Sequence, residues 1–263
     1  MKTTGMKTVL LAGGLGTRLR AIIPSTPKSL APVGNRPFLE LLIRQLVGQG
    51  LRHLIMCTGY LAEQIEGQFG DGSNLGAFIE YSREPQPLGT AGALKFAQGF
   101  LQGVPEFLVM NGDSFLELDL CEFMRFHHAH DGLATMAVVR VENAGRYGTV
   151  HADSSSRVTR FLEKIGDTSP GLINAGIYIF KPSILEYIPA GPVSLEKEVF
   201  PRILDRGVYA AKQEGIFIDI GTPADYTDAQ NLFERLCCMT KASNSVLGPT
   251  ETNADRCCRD LGK

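Results

Sequence analysis

Residues 9–18, Val-Leu-Leu-Ala-Gly-Gly-Leu-Gly-Thr-Arg, constrain this chain more than any other stretch. An apolar strand that runs into three glycines lets backbone N–H groups converge on an anion, because glycine accepts positive φ and has no Cβ to hold a ligand away. No Gly-Lys-Ser/Thr follows, as a Walker loop requires, and Leu19 stands where a dinucleotide-binding fingerprint has its third glycine. The segment therefore predicts a phosphate loop of another type. A plain glycine turn is the alternative.

Composition favours a small-molecule partner. The 263 residues carry 26 basic and 28 acidic side chains, a net charge of −2, so no strong field attracts nucleic acid or an anionic membrane. No apolar run approaches the roughly 20 residues that span a bilayer, and we expect a cytoplasmic protein. Four of the six cysteines form the adjacent pairs Cys237-Cys238 and Cys257-Cys258, without the two-residue gap usual in zinc sites, so reduced thiols are expected.

Strand and helix patterns alternate through the first part of the chain. The predicted elements are a helix over 37–46, a strand over 53–58, a helix over 62–69 and a strand over 78–82. This alternation predicts an α/β fold with a parallel sheet. We predict one domain over residues 1–236, with a nucleotide-binding half at about 6–130 and a sugar-binding half at about 131–236. Residues 237–263 are predicted to be a disordered tail.

Charged side chains stand beside several predicted strands. Prolines keep Lys28 on an extended loop close to the glycine loop. Asp113 ends the apolar run 106–113, where it can hold a divalent cation against phosphate oxygens or cap the next helix. Asp219 ends another strand and is a second candidate metal ligand. The histidines at 127, 128 and 130 lack the one-turn spacing of a zinc helix, and we interpret them as a solvated helix end.

The ordered motifs together resemble those of the sugar-1-phosphate nucleotidyltransferases, over about residues 6–235. The motifs lie at 11–19 with 27–30, 87–92, 111–113, 161–164, 174–178 and 217–223. The resemblance implies a Rossmann-like, mixed but mainly parallel sheet of the GT-A type. Within the family, the short chain and residues 146–150, Arg-Tyr-Gly-Thr-Val, are most similar to guanylyltransferases that act on D-glycero-α-D-manno-heptose 1-phosphate.

The resemblance also implies a set of site residues. Those expected around the nucleotide are Leu11, Ala12, Gly13, Gly14, Gly16, Thr17, Arg18, Glu84, Pro87, Gly89 and Thr90. Those expected around the sugar phosphate are Gly112, Gly148, Glu163, Lys164 and Asn174. Arg18, Lys28 and Asp113 are the expected catalytic residues, and Asp113 and Asp219 are expected to hold Mg²⁺.

Glu84 bears on the choice of base. In relatives its loop reads the base, and a carboxylate only accepts hydrogen bonds, whereas guanine offers two adjacent donors. We therefore expect GTP as the nucleotide, and the resemblance implies the heptose phosphate as the sugar. The products are then pyrophosphate and GDP-heptose for lipopolysaccharide, capsule or S-layer glycan. Mannose 1-phosphate with GTP and N-acetylmuramic acid 1-phosphate with UTP are alternatives. A catalytically inactive, nucleotide-sugar-binding regulatory subunit is an alternative of another class, and a homo-oligomer is left open.

Overall fold

The computed structural model describes residues 5–19, 22–162 and 169–232. Within these residues the strands are β1 (Lys7–Leu11), β2 (Pro32–Val33), β3 (Arg36–Pro37), β4 (His53–Thr58), β5 (Phe78–Arg83), β6 (Phe107–Asn111), β7 (Ser114–Leu116), β8 (Ala134–Val141), β9 (Thr149–Ala152), β10 (Val158–Leu162), β11 (Gly171–Phe180), β12 (Val208–Lys212) and β13 (Phe217–Asp219). The α-helices are α1 (Phe38–Gly48), α2 (Ala62–Phe69), α3 (Gly89–Phe96), α4 (Leu120–His128), α5 (Phe200–Ile203) and α6 (Pro223–Asn231).

The described chain forms two compact units. The first unit takes its described residues from Met1–Pro87, Gly112–Phe115 and Ile218–Lys263, and the second takes its own from Leu88–Asn111 and Leu116–Phe217.

In the first unit, β4 pairs in parallel with both β1 and β5. The middle of β1 and nearly all of β4 are buried, which suits the continuous apolar runs of a parallel sheet. Helix α1 connects β1 to β4 and buries its apolar face, while α2 connects β4 to β5. The predicted alternation of strands and helices is therefore confirmed here.

In the second unit, the ten-residue strand β11 is antiparallel to β6, β8 and β9. Strand β12 runs parallel to β8. A bulge interrupts the pairing of β11 with β8 between Asn174 and Tyr178, and Gly176 inside it has a φ of 75°. Parallel and antiparallel pairs thus occur together, and the mixed α/β class predicted from the sequence is confirmed.

The histidines of α4 contradict one interpretation. His127 is only 3 % exposed, and its Nδ1 lies 2.7 Å from Thr135 Oγ1. His128 Nε2 lies 3.0 and 2.9 Å from the two oxygens of Glu106, a buried carboxylate. We call Glu106, His127 and His128 the glutamate–histidine cluster. A solvated helix end is wrong for His127, because it shares the buried face of α4 with Leu120, Phe123 and Met124.

Several predictions lie outside the described residues. Glu163, Lys164, both cysteine pairs and the tail 237–263 belong to this group, so they stay predictions. The helices of the described residues include none whose length and apolar character would let it cross a bilayer.

Candidate active site

A cavity opens in the first unit where β1 ends. The residues that line it are Leu11, Ala12, Gly14, Gly16, Thr17, Arg18, Lys28, Ser29, Gly112, Asp113 and Gly221. All but Ser29 and Gly221 were expected site residues. The two additions follow Lys28 and Asp219 within the same short motifs, so the motifs themselves were the signal that could have found them.

The three glycines of the loop have different roles. A Cβ at Gly13 would lie 2.1 Å from Glu84 Oε1, so this position must be glycine for the carboxylate to fit. Gly16 has a φ of 58°, and a Cβ there would lie 2.9 Å from Lys28 Cβ. Gly14 meets nothing within 4 Å and borders the cavity, which leaves its backbone open to a ligand. Gly14 thus leaves room for a ligand, and Gly16 supplies the positive φ, as the sequence predicts, while Gly13 makes room for Glu84.

Backbone hydrogen bonds within this unit fix Gly112 against Leu11 and Ile220 against Asp113. Gly112 N donates to Leu11 O at 2.9 Å, and a Cβ on Gly112 would lie 2.9 Å from the same oxygen. Ile220 N donates to Asp113 O at 3.0 Å. The second bond joins the residue after Asp219 to Asp113 itself, which brings the two aspartates together. Asp113 lines the cavity, whereas Asp219 lies behind it, beyond the lining residues.

Lys28 lies between these aspartates, and we call the three residues the lysine–aspartate cluster. Lys28 Nζ donates to Asp113 Oδ2 at 2.7 Å and lies 3.7 Å from Asp219 Oδ1. Burial alone would lower the pKa of Lys28, but the two carboxylates outweigh burial and raise this pKa above its ordinary value. The lysine is therefore charged at neutral pH.

The two aspartates differ in their titration. Burial would raise the pKa of Asp113, but the Lys28 ammonium and hydrogen bonds from Lys28 and Ser114 bring it below its usual value. Burial, and then the charge of Asp113, raise the pKa of Asp219 to about 6, although Lys28 opposes this. The single positive charge of Lys28 thus balances only one of the two negative charges of Asp113 and Asp219.

This donor set fits a magnesium ion. Asp219 Oδ1 is buried and accepts no hydrogen bond within the described residues, so a cation would satisfy it. No group of three or more His, Cys, Asp or Glu side chains in the described ranges is arranged to hold a metal. Mg²⁺ is commonly held by one or two carboxylates together with water and substrate phosphates, and Asp113 with Asp219 suits that form of binding.

Glu84 follows β5 and is 8 % exposed. Its backbone N donates to Thr58 O at 2.8 Å, and its carboxylate lies beside the bare Cα atoms of Gly13 and Gly59. Burial, with a further contribution from the Glu84 charge, raises the pKa of the Cys57 thiol, which stays protonated. Pro87, at the end of the same loop, is exposed.

Gly89 and Thr90 belong to the second unit and begin α3. Gly89 has a φ of 71°, and a Cβ there would lie 2.6 Å from Val193 O. The Thr90 hydroxyl donates to Glu196 Oε2 at 2.8 Å and accepts from Leu195 N at 2.8 Å. This hydroxyl therefore anchors the helical turn Leu195–Val199.

Gly148 and Asn174 lie together in the second unit. Asn174 N donates to Gly148 O at 2.9 Å. The Asn174 side chain donates from Nδ2 to the Tyr178 hydroxyl at 2.7 Å and accepts from Gly176 N at 3.0 Å, both within the bulge of β11. The bulge thus orients the amide.

Comparison with known families decides the relationship. The model of the family described as Nucleotidyl transferase matches residues 7–235. This chain belongs to that family. The membership confirms the resemblance to the sugar-1-phosphate nucleotidyltransferases read from the motifs.

Among nucleotidyl transferases, two similar relatives are mannose-1-phosphate guanylyltransferases. The catalytic subunit beta of Drosophila pseudoobscura pseudoobscura is 39% identical over 232 residues, which cover 87% of this chain and 62% of the relative. The enzyme of Mycobacterium tuberculosis is 39% identical over 230 residues, which cover 86% of this chain and 64% of the relative. The chain thus spans less than two thirds of the length of these relatives.

A solved structure with the same fold is HddC from Yersinia pseudotuberculosis, complexed with GMP-PN. It is 33% identical, has a TM-score of 0.78, and the match covers 87% of this chain and 100% of HddC. The mixed α/β nucleotidyltransferase fold predicted from the sequence is therefore confirmed.

Proposed function

We propose that this protein is a sugar-1-phosphate guanylyltransferase that joins GTP to D-glycero-α-D-manno-heptose 1-phosphate and releases pyrophosphate. The observation that carries the proposal is the cavity in the first unit, where the glycine loop meets the lysine–aspartate cluster. Backbone amides, an ammonium and two carboxylates suited to Mg²⁺ together match a magnesium-bound triphosphate.

The chemistry needs no general base. The second pKa of a phosphate monoester is about 6, so the attacking oxygen of the sugar phosphate is anionic at neutral pH. That oxygen forms a bond to the α-phosphorus, and the bond from the α-phosphorus to the bridging oxygen of pyrophosphate breaks. The described residues that line the cavity include no histidine, which agrees with a reaction limited by charge repulsion and not by proton transfer.

We assign to the positively charged side chains the role of reducing the repulsion between the two anionic substrates. Lys28 holds phosphate oxygens from the buried side of the cavity, and Arg18, which is exposed, closes over the phosphates from the glycine loop. Asp113 and Asp219 hold Mg²⁺, which when bound neutralises and polarises the phosphates. Lys164, with Glu163, Gly148 and Asn174, contacts the sugar phosphate.

Glu84 supports guanine as the base. Its carboxylate is buried against Gly13, on the loop that already lines the cavity, and can accept from N1–H and the N2 amino group together. Two further facts support the same base: the relatives at 39% identity are named guanylyltransferases, and HddC was solved with the guanine nucleotide GMP-PN.

Mannose 1-phosphate is the second candidate sugar, and the names of those same relatives favour it. A heptose differs from mannose by one exocyclic carbon, which the same hydroxyl-binding groups would accommodate. The inactive regulatory alternative is disfavoured because Arg18 and the complete lysine–aspartate cluster are present. Because GTP is a cytosolic metabolite, we place the reaction in the cytoplasm.

The test is pyrophosphate release with magnesium from GTP, UTP, CTP, dTTP and ATP, each with the heptose phosphate, mannose 1-phosphate or N-acetylmuramic acid 1-phosphate. We expect release from GTP with the heptose well above release with mannose. Release confined to mannose 1-phosphate would replace the sugar and keep the base. Binding of GTP without release from any pair would favour the regulatory alternative.

A further inference from the structure

Within the described residues, the side-chain contacts of helix α6 are mainly polar. Ala229 is the one buried residue in this nine-residue helix. A helix with so little apolar surface gains little from burial, so its side-chain hydrogen bonds decide where it lies.

Two side chains of α6 bind one turn of backbone, residues 32–34. Gln230 Nε2 donates to Pro32 O at 2.6 Å, and Gly34 N donates to Gln230 Oε1 at 2.8 Å. The Tyr226 hydroxyl donates to the same Pro32 oxygen. The Gln230 amide therefore uses its donor and its acceptor at opposite ends of a single turn, and we call these three hydrogen bonds the Gln230 clamp.

The clamped turn follows closely after Lys28. Lys28–Leu30 is a 3-10 turn in which Ala31 N donates to Lys28 O at 3.0 Å. Ser29, Leu30 and Ala31 are buried, so the three residues that join Lys28 to the exposed Pro32 are packed. A displacement of the clamped turn would thus be passed on to Lys28.

The other side of the clamp leads to Asp219. Helix α6 begins at Pro223, directly after the Thr222 cap and Gly221, which lines the cavity. The clamp therefore ties the segment that carries Lys28 to the helix that follows Asp219. The distance it controls is the one between Lys28 Nζ and Asp219 Oδ1, 3.7 Å.

We propose that Gln230, assisted by Tyr226, is a positioning residue that sets the place of Lys28 relative to Asp219. The inference rests on the proposed function, in which Lys28 holds phosphate. Helix α6 does not line the cavity, yet by this inference it controls the distance between the Lys28 ammonium and the Asp219 carboxylate.

The test uses three variants of the full chain. Gln230→Ala removes both amide hydrogen bonds, and Gln230→Glu keeps the acceptor for Gly34 N but loses the donor to Pro32 O. Asn231→Ala is the matched control, since Asn231 is an exposed amide on the same helix. Hydrogen exchange measured by mass spectrometry reports on residues 28–34 without any need for activity. We expect exchange at least about fivefold faster in Gln230→Ala, an intermediate effect in Gln230→Glu and none in Asn231→Ala.

Kinetic measurements then test whether Gln230 acts on catalysis through Lys28. We expect Gln230→Ala to lower kcat at least about fivefold with little change in the KM for GTP, measured well below its unfolding midpoint. In a Lys28→Met background, the same substitution should change kcat by less than about twofold, because the group it positions is gone. A structural role alone would lower kcat equally in both backgrounds.

The outcomes separate this inference from the proposed function. Unchanged exchange in Gln230→Ala overturns the clamp. Faster exchange with unchanged kcat, or an equal loss of kcat in both backgrounds, overturns the positioning role. If the wild type releases no pyrophosphate, the proposed function fails. The positioning role of Gln230 is then tested by calorimetry, which measures the binding of inorganic tripolyphosphate with magnesium. Lys28→Met and Gln230→Ala should then each weaken binding, and the double variant no more than Lys28→Met alone.

Discussion

The two units each contain a cluster of acidic and basic side chains, and the clusters differ in how fully their polar atoms are hydrogen-bonded. In the lysine–aspartate cluster, Asp219 Oδ1 accepts no hydrogen bond within the described residues, and its partners Lys28 and Asp113 line a cavity. In the glutamate–histidine cluster, Glu106 meets His128 through both oxygens, and His127 meets Thr135. Composition alone does not mark a site. An unsatisfied charge beside open space does.

The pKa shifts also differ between the lysine–aspartate cluster and the glutamate–histidine cluster. The charge of Asp113 adds to burial and raises the pKa of Asp219 to about 6, so a bound cation would relieve the crowding. Burial, followed by repulsion of the protonated imidazole by the neighbouring His128, Lys181 and His130, lowers the pKa of His127 to about 4. His127 is thus neutral at pH 7, and its Nε2 lies 3.5 Å from Glu106 Oε2. Four predictions test this contrast, from the largest expected effect to the smallest.

Asp113→Asn should greatly reduce turnover, because it alters the lysine–aspartate cluster. We expect kcat to fall at least about 100-fold, equivalent to about 2.7 kcal/mol, because a magnesium ligand and the partner of Lys28 are lost together. The unfolding midpoint should move little. Pyrophosphate release and thermal denaturation of the same preparation measure both quantities, and near-wild-type turnover would remove Asp113 from the metal site.

Glu106→Gln is the corresponding isosteric change in the satisfied cluster. It should lower the free energy of unfolding by about 2 kcal/mol, because the hydrogen bonds of His128 to a carboxylate are replaced by weaker ones. The kcat should stay unchanged. Urea denaturation and pyrophosphate release give the two values, and a loss of turnover without a loss of stability would contradict the division between the clusters.

His127 should make the fold sensitive to mild acid. Its pKa is about 4 in the folded state, below the ordinary 6.5, so the unfolded chain takes up the proton first as the pH falls. Stability is therefore highest above pH ~6.5 and is lost progressively down to pH ~4, by about 2 kcal/mol between pH ~7 and pH ~5.

His127→Gln should remove that part of the pH dependence. Urea denaturation of the wild type and the variant at both pH values isolates the histidine, since the remaining titrating groups are shared. Equal pH dependence in the two proteins would mean that His127 does not titrate in this range.

Glu84→Gln tests a third carboxylate, which is buried beside the glycine loop. If Glu84 accepts two hydrogen bonds from guanine, the amide should reduce the preference for GTP over UTP by about tenfold, or about 1.4 kcal/mol. The ratio of kcat/KM for the two nucleotides measures the change. An unaltered ratio would show that another residue reads the base.

Much of the secondary structure followed from periodicity. Strand β4 and helix α2 have the predicted ends, since each combines an apolar pattern with clear flanking signals. Lys28 was expected on an extended loop but lies in a 3-10 turn, because proline prevents a regular helix without preventing one turn. The burial of His127 was readable from its spacing to Leu120, Phe123 and Met124, a pattern that our interpretation of the histidines overlooked.

The candidate site was less fully predictable. The glycine loop, Lys28, Asp113 and Asp219 were identified individually from local motifs, whereas their mutual distances depend on residues far apart in sequence. Gly13 illustrates the limit, because a Cβ there would meet Glu84, a residue 71 positions later in the numbering that the local motif does not include. Gln230 carried no signal, since an amide on a polar helix surface is ordinary until its partner is known.

The amino-acid sequence by itself determined the family, the alternation of strands and helices in the first unit, and the residue types that meet at the end of β1. These depend on local backbone preference and on short motifs, which act within a few residues. The tertiary structure decided which charges are satisfied. Burial and pairing are set by contacts between distant segments, and these leave Asp219 with an unsatisfied oxygen while they place His128 against both oxygens of Glu106.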